Sequence, residues 1–312
     1  MDARISQISL RSAALSVADL VLPRICIVCG RTLLLSETHL CTACAADLPR
    51  TFFAGVRENP MAVGFNAMVE RELGSLVDTP SGACSPLATQ LYSYATALFF
   101  YRGDSPYSLI PQALKYGRNF EAGRHFARLL GRELAGSPLF ADVDFVIPVP
   151  LHWLRRWRRG YNQAEVIARG IVEGFAEGRA KSPAAGSTAE AASVWAPIPM
   201  LTGVLRRVRR TRTQTRLDAA GRYGNVRSAF VADCRRLASG LAAIVSAPEF
   251  RTSAPVSPDC PCHLLLVDDV FTTGATLLAC ERALRAGLAA AFGPESASRI
   301  RISVATLAYV GR

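Results

Sequence analysis

The sequence predicts an α/β fold, a parallel sheet flanked by helices, with a small N-terminal module built on four cysteines. Three observations predict it. The run from His263 through Leu264, Leu265, Leu266 and Val267 has the apolar character of a strand buried on both faces of a parallel sheet. It passes through two carboxylates and a Thr/Gly turn into a helical pattern from Leu277. From Tyr92 onward, strand-like and helical segments alternate, which places helices over the faces of a parallel sheet. Near the start of the chain, two Cys-x-x-Cys pairs stand close together.

The junction after the apolar run carries the chemistry. Asp268 and Asp269 stand at the strand tip, and Thr272, Thr273, Gly274, Ala275 and Thr276 lead into the helix. Carboxylates accept hydrogen bonds from sugar hydroxyls, as the acidic residue of dinucleotide folds does. Backbone N–H groups at a helix N-terminus, aided by the helix dipole, bind a phosphate. The threonines add hydroxyl donors, and Gly274 lets the backbone approach an anion closely. Together these features describe a site for a phosphorylated ribose. The plain alternative is a strand-to-helix turn capped by threonine.

Cys26-x-x-Cys29 followed by Cys41-x-x-Cys44 places two thiolates on each of two tight knuckles, enough for a tetrahedral S₄ site. All four positions being cysteine leaves no coordination position open, so the expected metal is structural zinc. His39 is a candidate substitute ligand and otherwise a loop histidine. Free thiols or a redox pair are the alternatives for the cysteines. The nine cysteines are an odd count, and the N-terminus lacks a clean signal-peptide core, which together argue against a disulfide framework and for a cytoplasmic protein. No apolar run reaches the roughly 18 residues of a membrane span. The formal charge of +11 favours a polyanionic partner, a phosphorylated metabolite or a nucleic acid, without separating the two.

In order, Ile5, Ile8, Leu10, Leu15 and Leu20 predict a loosely helical packing segment before the cysteines. Residues 51–90 show no convincing period and read as a linker or insertion. Tyr92–Tyr101 predicts a strand, and Ser108–Leu134 a helical stretch broken near Gly117, in which Lys115 and Tyr116 read as a solvated lysine beside a packed aromatic. Val143–Val149 predicts another strand. It runs into Arg155, Arg156, Trp157, Arg158, Arg159 and Gly160, where guanidinium groups are suited to gripping a diphosphate. Trp153 and Trp157 in this segment also suit stacking on single-stranded bases; the alternative is a basic solvated helix with its tryptophans packed inward. A helix follows over Ala164–Phe175. Residues 178–200 read as a low-complexity insertion and 237–260 as a poorly patterned one. Between them lies an arginine-rich run, with Arg209 and Arg212 at its centre, that reads as a loop closing over phosphates or as a nucleic-acid patch. A helix over Leu277–Ala291 and a last strand over Ile300–Val310 complete the chain. The domain division is therefore 1–50, a helix and cysteine module; 51–90, a linker; and 91–312, the α/β domain.

Residues 263–276 resemble the 5-phosphoribosyl-1-pyrophosphate (PRPP) motif of type I phosphoribosyltransferases, an apolar strand, two acids, two residues and Thr-Thr-Gly-x-Thr. The wider set resembles the ComF/GntX family: Leu22-Pro23-Arg24 with the two cysteine pairs, Tyr101-Arg102-Gly103, Leu114-Lys115-Tyr116, Pro148-Val149-Pro150 and Arg159-Gly160-Tyr161-Asn162-Gln163. That family joins a zinc-ribbon-like module to a phosphoribosyltransferase-like domain and is associated with DNA uptake in competent bacteria. The resemblance implies that Asp268 and Asp269 hold the ribose hydroxyls and that Thr272 to Thr276 cradle the 5′-phosphate. It further implies a pyrophosphate loop with Arg155 and Arg159 and a flexible loop with Arg209 and Arg212. Mg²⁺ would be held through the diphosphate and ribose hydroxyls of PRPP. Thr272 stands where 6-oxopurine-specific members carry an acid, so no purine acceptor is implied. The alternative role is a non-catalytic accessory of natural transformation that binds single-stranded DNA or the uptake machinery.

Overall fold

The structure is a computed structural model that describes residues 23–77, 91–116, 119–151, 157, 160–181, 198–208, 229–246 and 262–311. In chain order it contains helix α1 (Thr42–Ala46), helix α2 (Pro60–Val77), strand β1 (Ala95–Phe100), helices α3 (Leu109–Tyr116) and α4 (Phe120–Ala135), and strand β2 (Phe145–Pro148). Helix α5 (Gln163–Lys181), strands β3 (Leu205–Arg207) and β4 (Phe230–Ala232) and helix α6 (Cys234–Ser246) follow. Strand β5 (Cys262–Phe271), helices α7 (Ala275–Phe292) and α8 (Pro294–Arg299) and strand β6 (Ile300–Tyr309) close it. The N-terminal apolar segment, most of the 178–200 segment and the tip of the arginine-rich run lie outside the described residues.

Four strands form one parallel sheet in the order β1-β6-β5-β2. Because successive side chains alternate faces, β5 feeds both cores: Cys262, Leu264 and Leu266 point to one, Leu265 and Val267 to the other. The first core is covered by α2, α6 and α7, the second by α4, α5 and the cysteine module. The α4–α5 contact is backbone to backbone, since a Cβ on Gly131 would lie 2.2 Å from the Ile171 carbonyl oxygen and one on Gly174 2.2 Å from that of Arg128. Arg124 pairs with Glu173, and Arg128 and Arg132 with Glu177, along the flank of this contact.

The sheet extends past its four strands at both edges. Pro49–Thr51 runs antiparallel to β1, with the Phe100 N–H on Pro49 O at 2.8 Å and the Thr51 N–H on Leu98 O at 3.2 Å. At the other edge, the Val146 N–H donates to Pro199 O at 3.1 Å, and Val146 O accepts the Leu201 N–H at 2.9 Å. At the N-terminal end of β5, His263 is fully buried between Asp142 Oδ1 and Ser303 Oγ, each 2.7 Å from a ring nitrogen. Asp142, Ser303 and the histidine thereby lock β5 to β6 and to the segment before β2.

Two segments differ from the sequence expectation. Residues 60–77, placed in a linker or insertion, form an 18-residue helix whose Met61, Ala62, Phe65, Met68 and Val69 are buried against the sheet. Asn59 starts it: its Oδ1 accepts the Ala62 N–H at 2.9 Å, and its Nδ2 donates to Ala95 O at 2.8 Å. Asn66 ties the same helix to the lead-in of β1 through Ser93, donating to its carbonyl at 2.8 Å and accepting its N–H at 3.0 Å. Residues 237–246, placed in an unpatterned insertion, belong to α6, where Leu237 and Leu241 are fully buried.

Candidate functional site

Ligands of open parallel α/β sheets bind outside the carboxyl ends of the strands. Here that end of β5 carries Asp268 and Asp269, both half-buried. Asp268 Oδ1 turns back to accept the Asp269 N–H at 2.9 Å. Burial first, and then the neighbouring Asp269, push the Asp268 carboxyl up to about 7. Hydrogen bonding to the Asp269 backbone and the charges of Lys115 and Arg207 pull in the opposite direction. Near neutrality Asp268 is therefore poised to carry a proton.

Beyond the acids the chain turns through Thr272, which is exposed, and Thr273, and enters α7 at Gly274. Gly274 has φ +74°, the left-handed region, and the first helical bond runs from the Leu278 N–H to Gly274 O at 2.9 Å. The N–H groups of the first turn have no acceptor within the helix, and the dipole of this 18-residue helix favours an anion beside them. Thr276, half-buried in that turn, adds a hydroxyl. Helix α2 supports the turn from behind: a Cβ on Gly274 would lie 2.4 Å from Met68 Cε and 2.7 Å from Phe271 Cζ. Arg282 of α7 also pairs with Glu72 of α2 at 3.5 Å. Gly274→Ala should thus cost about 2–4 kcal/mol, from the left-handed backbone and the overlap together. Urea unfolding checks it, and Met68→Ala in the same chain should recover part of the loss.

Two cations reach the acids from distant parts of the chain. Lys115, in the last turn of α3, places Nζ 2.9 Å from Asp269 Oδ2. It is not the solvated lysine expected from sequence: 26% of its side chain and 17% of that of Asp269 are exposed. Arg207, in β3, stacks its guanidinium over Phe230 of β4 at 5.1 Å. The β3–β4 pair is antiparallel and packs on α7, Ala232 and Leu237 lying against Gly287. It forms the base from which the arginine-rich run departs.

Arg155, Arg159, Arg209 and Arg212 lie outside the described residues. The elements that flank them do converge on the acids. The Val149 N–H continues the β2–β5 ladder to Val267 O at 2.9 Å, so the 150–160 connection leaves the sheet beside Asp268. It returns at Gly160, φ +82°, and at Asn162, whose Nδ2 donates to Val149 O at 3.0 Å. Within that connection Trp157 is 81% exposed, which overturns the inward-packed alternative for this tryptophan.

The four cysteines also meet. The Sγ atoms of Cys26, Cys29, Cys41 and Cys44 all lie within 4.8 Å of one another, without His39 among them. Four thiols at this spacing fit one tetrahedral metal ion. Gly30 turns the first knuckle at φ +71°, and Cys41 begins α1, accepting the Cys44 N–H at 3.5 Å. Burial opposes ionisation of Cys26, but backbone N–H groups of Cys29, Cys41 and Val28 bring its thiol down to about 6. Glu37 braces the loop, accepting the N–H groups of Leu34 at 2.8 Å and Thr42 at 2.6 Å, which hold its carboxyl near 2. The module docks on the sheet domain through Tyr107, whose hydroxyl lies 3.1 Å from Cys44 O and 3.0 Å from Asp47 Oδ2. Among the described residues no disulfide is present, and no helix is long and apolar enough to cross a membrane.

No protein-family model matches the chain. Curated proteins do. Competence protein F of Haemophilus influenzae is 27% identical over 263 residues, covering 83% of this chain and 90% of the relative. DNA utilization protein YhgH of Salmonella typhi is 25% identical over 264 residues, 83% of this chain and 89% of the relative. YhgH of Escherichia coli K12 is 26% identical over 175 residues, 55% of this chain and 58% of the relative. With a parallel α/β sheet, an acid-tipped strand and a four-cysteine module in one chain, the protein is similar along most of its length to competence protein F and to the DNA utilization protein YhgH.

Proposed function

We propose that the site at the carboxyl end of β5 binds magnesium-complexed PRPP, or a closely related phosphoribosylated molecule, in a cytoplasmic protein linked to DNA uptake. The observation that carries this reading is the juxtaposition of Asp268 and Asp269 with the Gly274 turn and the N-terminus of α7. The carboxylates would accept the two ribose hydroxyls, and the turn would donate to the 5′-phosphate. Arg155, Arg159, Arg209 and Arg212 are our candidates for the diphosphate. Mg²⁺ would be held by the diphosphate and ribose hydroxyls rather than by a protein cage. The printed names of the relatives, competence and DNA utilization, support the uptake link. We assign structural zinc to the four cysteines, since reduced cytoplasmic thiols at this spacing favour a metal over a disulfide.

A second reading is favoured by one observation. Trp157, exposed on a segment with arginines on both sides, offers a stacking face for a base, and the net charge of +11 suits a phosphate backbone. On that reading the protein binds single-stranded DNA without turnover.

Calorimetry of Mg·PRPP binding to the folded, zinc-loaded protein tests the first reading. Binding should be saturable and lost in the Asp268→Asn/Asp269→Asn double variant. Absence of binding in the parent would overturn it. DNA affinity should fall steeply between 50 and 200 mM salt, by about a thousandfold or more if several phosphates are contacted, whereas Mg·PRPP affinity should change far less.

A further inference from the structure

We propose that Lys115 is a positioning residue of the sugar-phosphate site: its ammonium fixes the Asp269 carboxylate and offsets the charge of the acid pair, so that an anionic sugar phosphate can approach it. This rests on the reading of the site given above. The physical difficulty it addresses is plain. Two adjacent carboxylates suit ribose hydroxyls, but they repel a ligand that carries phosphate groups on both sides of the ribose. A cation held against the acids, yet outside the space the hydroxyls need, resolves the conflict.

Lys115 meets that description. Its Nζ lies 2.9 Å from Asp269 Oδ2, and a carboxylate has lone pairs enough to accept a lysine on one oxygen and a hydroxyl on the other. Its position is set by the fold rather than by local sequence. Helix α3 is anchored by Ile110 and Leu114, both buried, and by the Tyr161 hydroxyl, which donates to Leu114 O. Tyr161 belongs to the connection that returns from β2, so the element that supplies Lys115 is tied to the connection carrying Arg155 and Arg159. Among the described residues, the charged and titratable groups beside Asp268 include Asp269 on its own strand, Lys115 from α3 and Arg207 from β3; across it stands Cys280 of α7, a buried thiol. Lys115 contacts the acid pair directly, through Asp269 Oδ2.

The test compares the parent with Lys115→Met and Lys115→Arg by calorimetry of Mg·PRPP between pH 5.5 and 9. Carboxyl ¹³C NMR of Asp268 and Asp269 runs in parallel. Removing the ammonium should weaken binding about tenfold or more at pH 7.5, the scale of a charged hydrogen bond. The lower pH limit of binding should move upward, because the acids lose a cation that favours their ionised forms. Arginine should restore most of both. A helix that merely needs an aliphatic stem at this position would lose neither affinity nor pH profile in Lys115→Met, and that result would overturn the proposal. If the folded parent binds no Mg·PRPP, the reading of the site fails, but the NMR still judges Lys115. An Asp268 midpoint that rises in Lys115→Met supports its role on the acid pair, and an unmoved midpoint sinks it.

Discussion

Asp268→Asn should make the protein more stable and its site less able to hold ligand, both at pH 8. The sign follows from the raised carboxyl. Asp268 titrates at about 7 in the fold against an ordinary 3.8, first because it is buried and second because Asp269 adjoins it. An acid whose folded pKa is raised costs stability when it ionises. The cost is absent below the unfolded value of 3.8, grows as pH rises from there, and is complete above about 7. Asparagine keeps the shape, and its Oδ1 can still accept the Asp269 N–H, a bond of 2.9 Å in the parent. It removes the buried negative charge and leaves Lys115 with one undivided partner in Asp269. The expected gain is about 1–2 kcal/mol at pH 8, a rise of a few degrees in Tm, and it should shrink toward zero near pH 4. Mg·PRPP affinity should fall about thirtyfold or more, because a neutral amide is the weaker acceptor for a hydroxyl. Thermal unfolding across pH, set beside calorimetry, reads both. A variant less stable than the parent at pH 8 would mean that the carboxylate is paired well enough to support the fold, contrary to the charge balance described here.

The outline of this strand tip was legible in the sequence, and its neighbours in space were not. Strand β5, the acids and the turn into α7 are contiguous, so an apolar run, two carboxylates and a glycine identify them without any tertiary information. The cysteine pairs are equally local. The support behind the turn is different in kind. Met68 sits on a helix whose buried positions 61, 62, 65, 68 and 69 do follow the helical period, and Asn59-Pro60 is a strong start signal. Gly64 and Asn66 inside it, and unpatterned residues on either side, dilute that period in any wider window. Leu114-Lys115-Tyr116 contributes to the family resemblance, but nothing around Lys115 in sequence points to the acids. Its partner is on strand β5, and only the fold brings the two together. His263 is similar: in sequence it opens an apolar run, while its hydrogen-bond partners Asp142 and Ser303 come from elsewhere. Contacts between distant segments set the electrostatics of this site, and local pattern sets its outline.

Removing the metal should damage the edge of the sheet and spare its centre. The cysteine module is not an appendage, since Cys26, Leu33, Leu40, Cys41 and Leu48 are buried in the same core as α4 and α5. It hands the chain to Pro49–Thr51, which pairs with β1, and Arg50 there makes an ion pair with Glu133 of α4. Purified protein should carry one zinc per chain, and Cys41→Ser should carry none, because a tetrahedral thiolate site needs all four ligands. Apparent binding energies of structural zinc sites are about 10–16 kcal/mol in isolated fingers. A domain with its own sheet should lose less, about 3–5 kcal/mol in global stability. Hydrogen exchange locates the loss. The Phe100 and Thr51 amides, bonded to Pro49 O and Leu98 O, should exchange faster in the zinc-free protein, while Leu265 in β5 stays protected. Mg·PRPP affinity should change less than about threefold, because β5 is held by β2 on one side and β6 on the other, away from the weakened edge. If chelation leaves both stability and edge exchange untouched, the cysteines are plain thiols and the module holds its shape by packing and by Glu37 alone. If instead affinity collapses together with the edge, the metal reaches the site through the chain that continues from Thr51 into α2, whose Met68 backs the Gly274 turn.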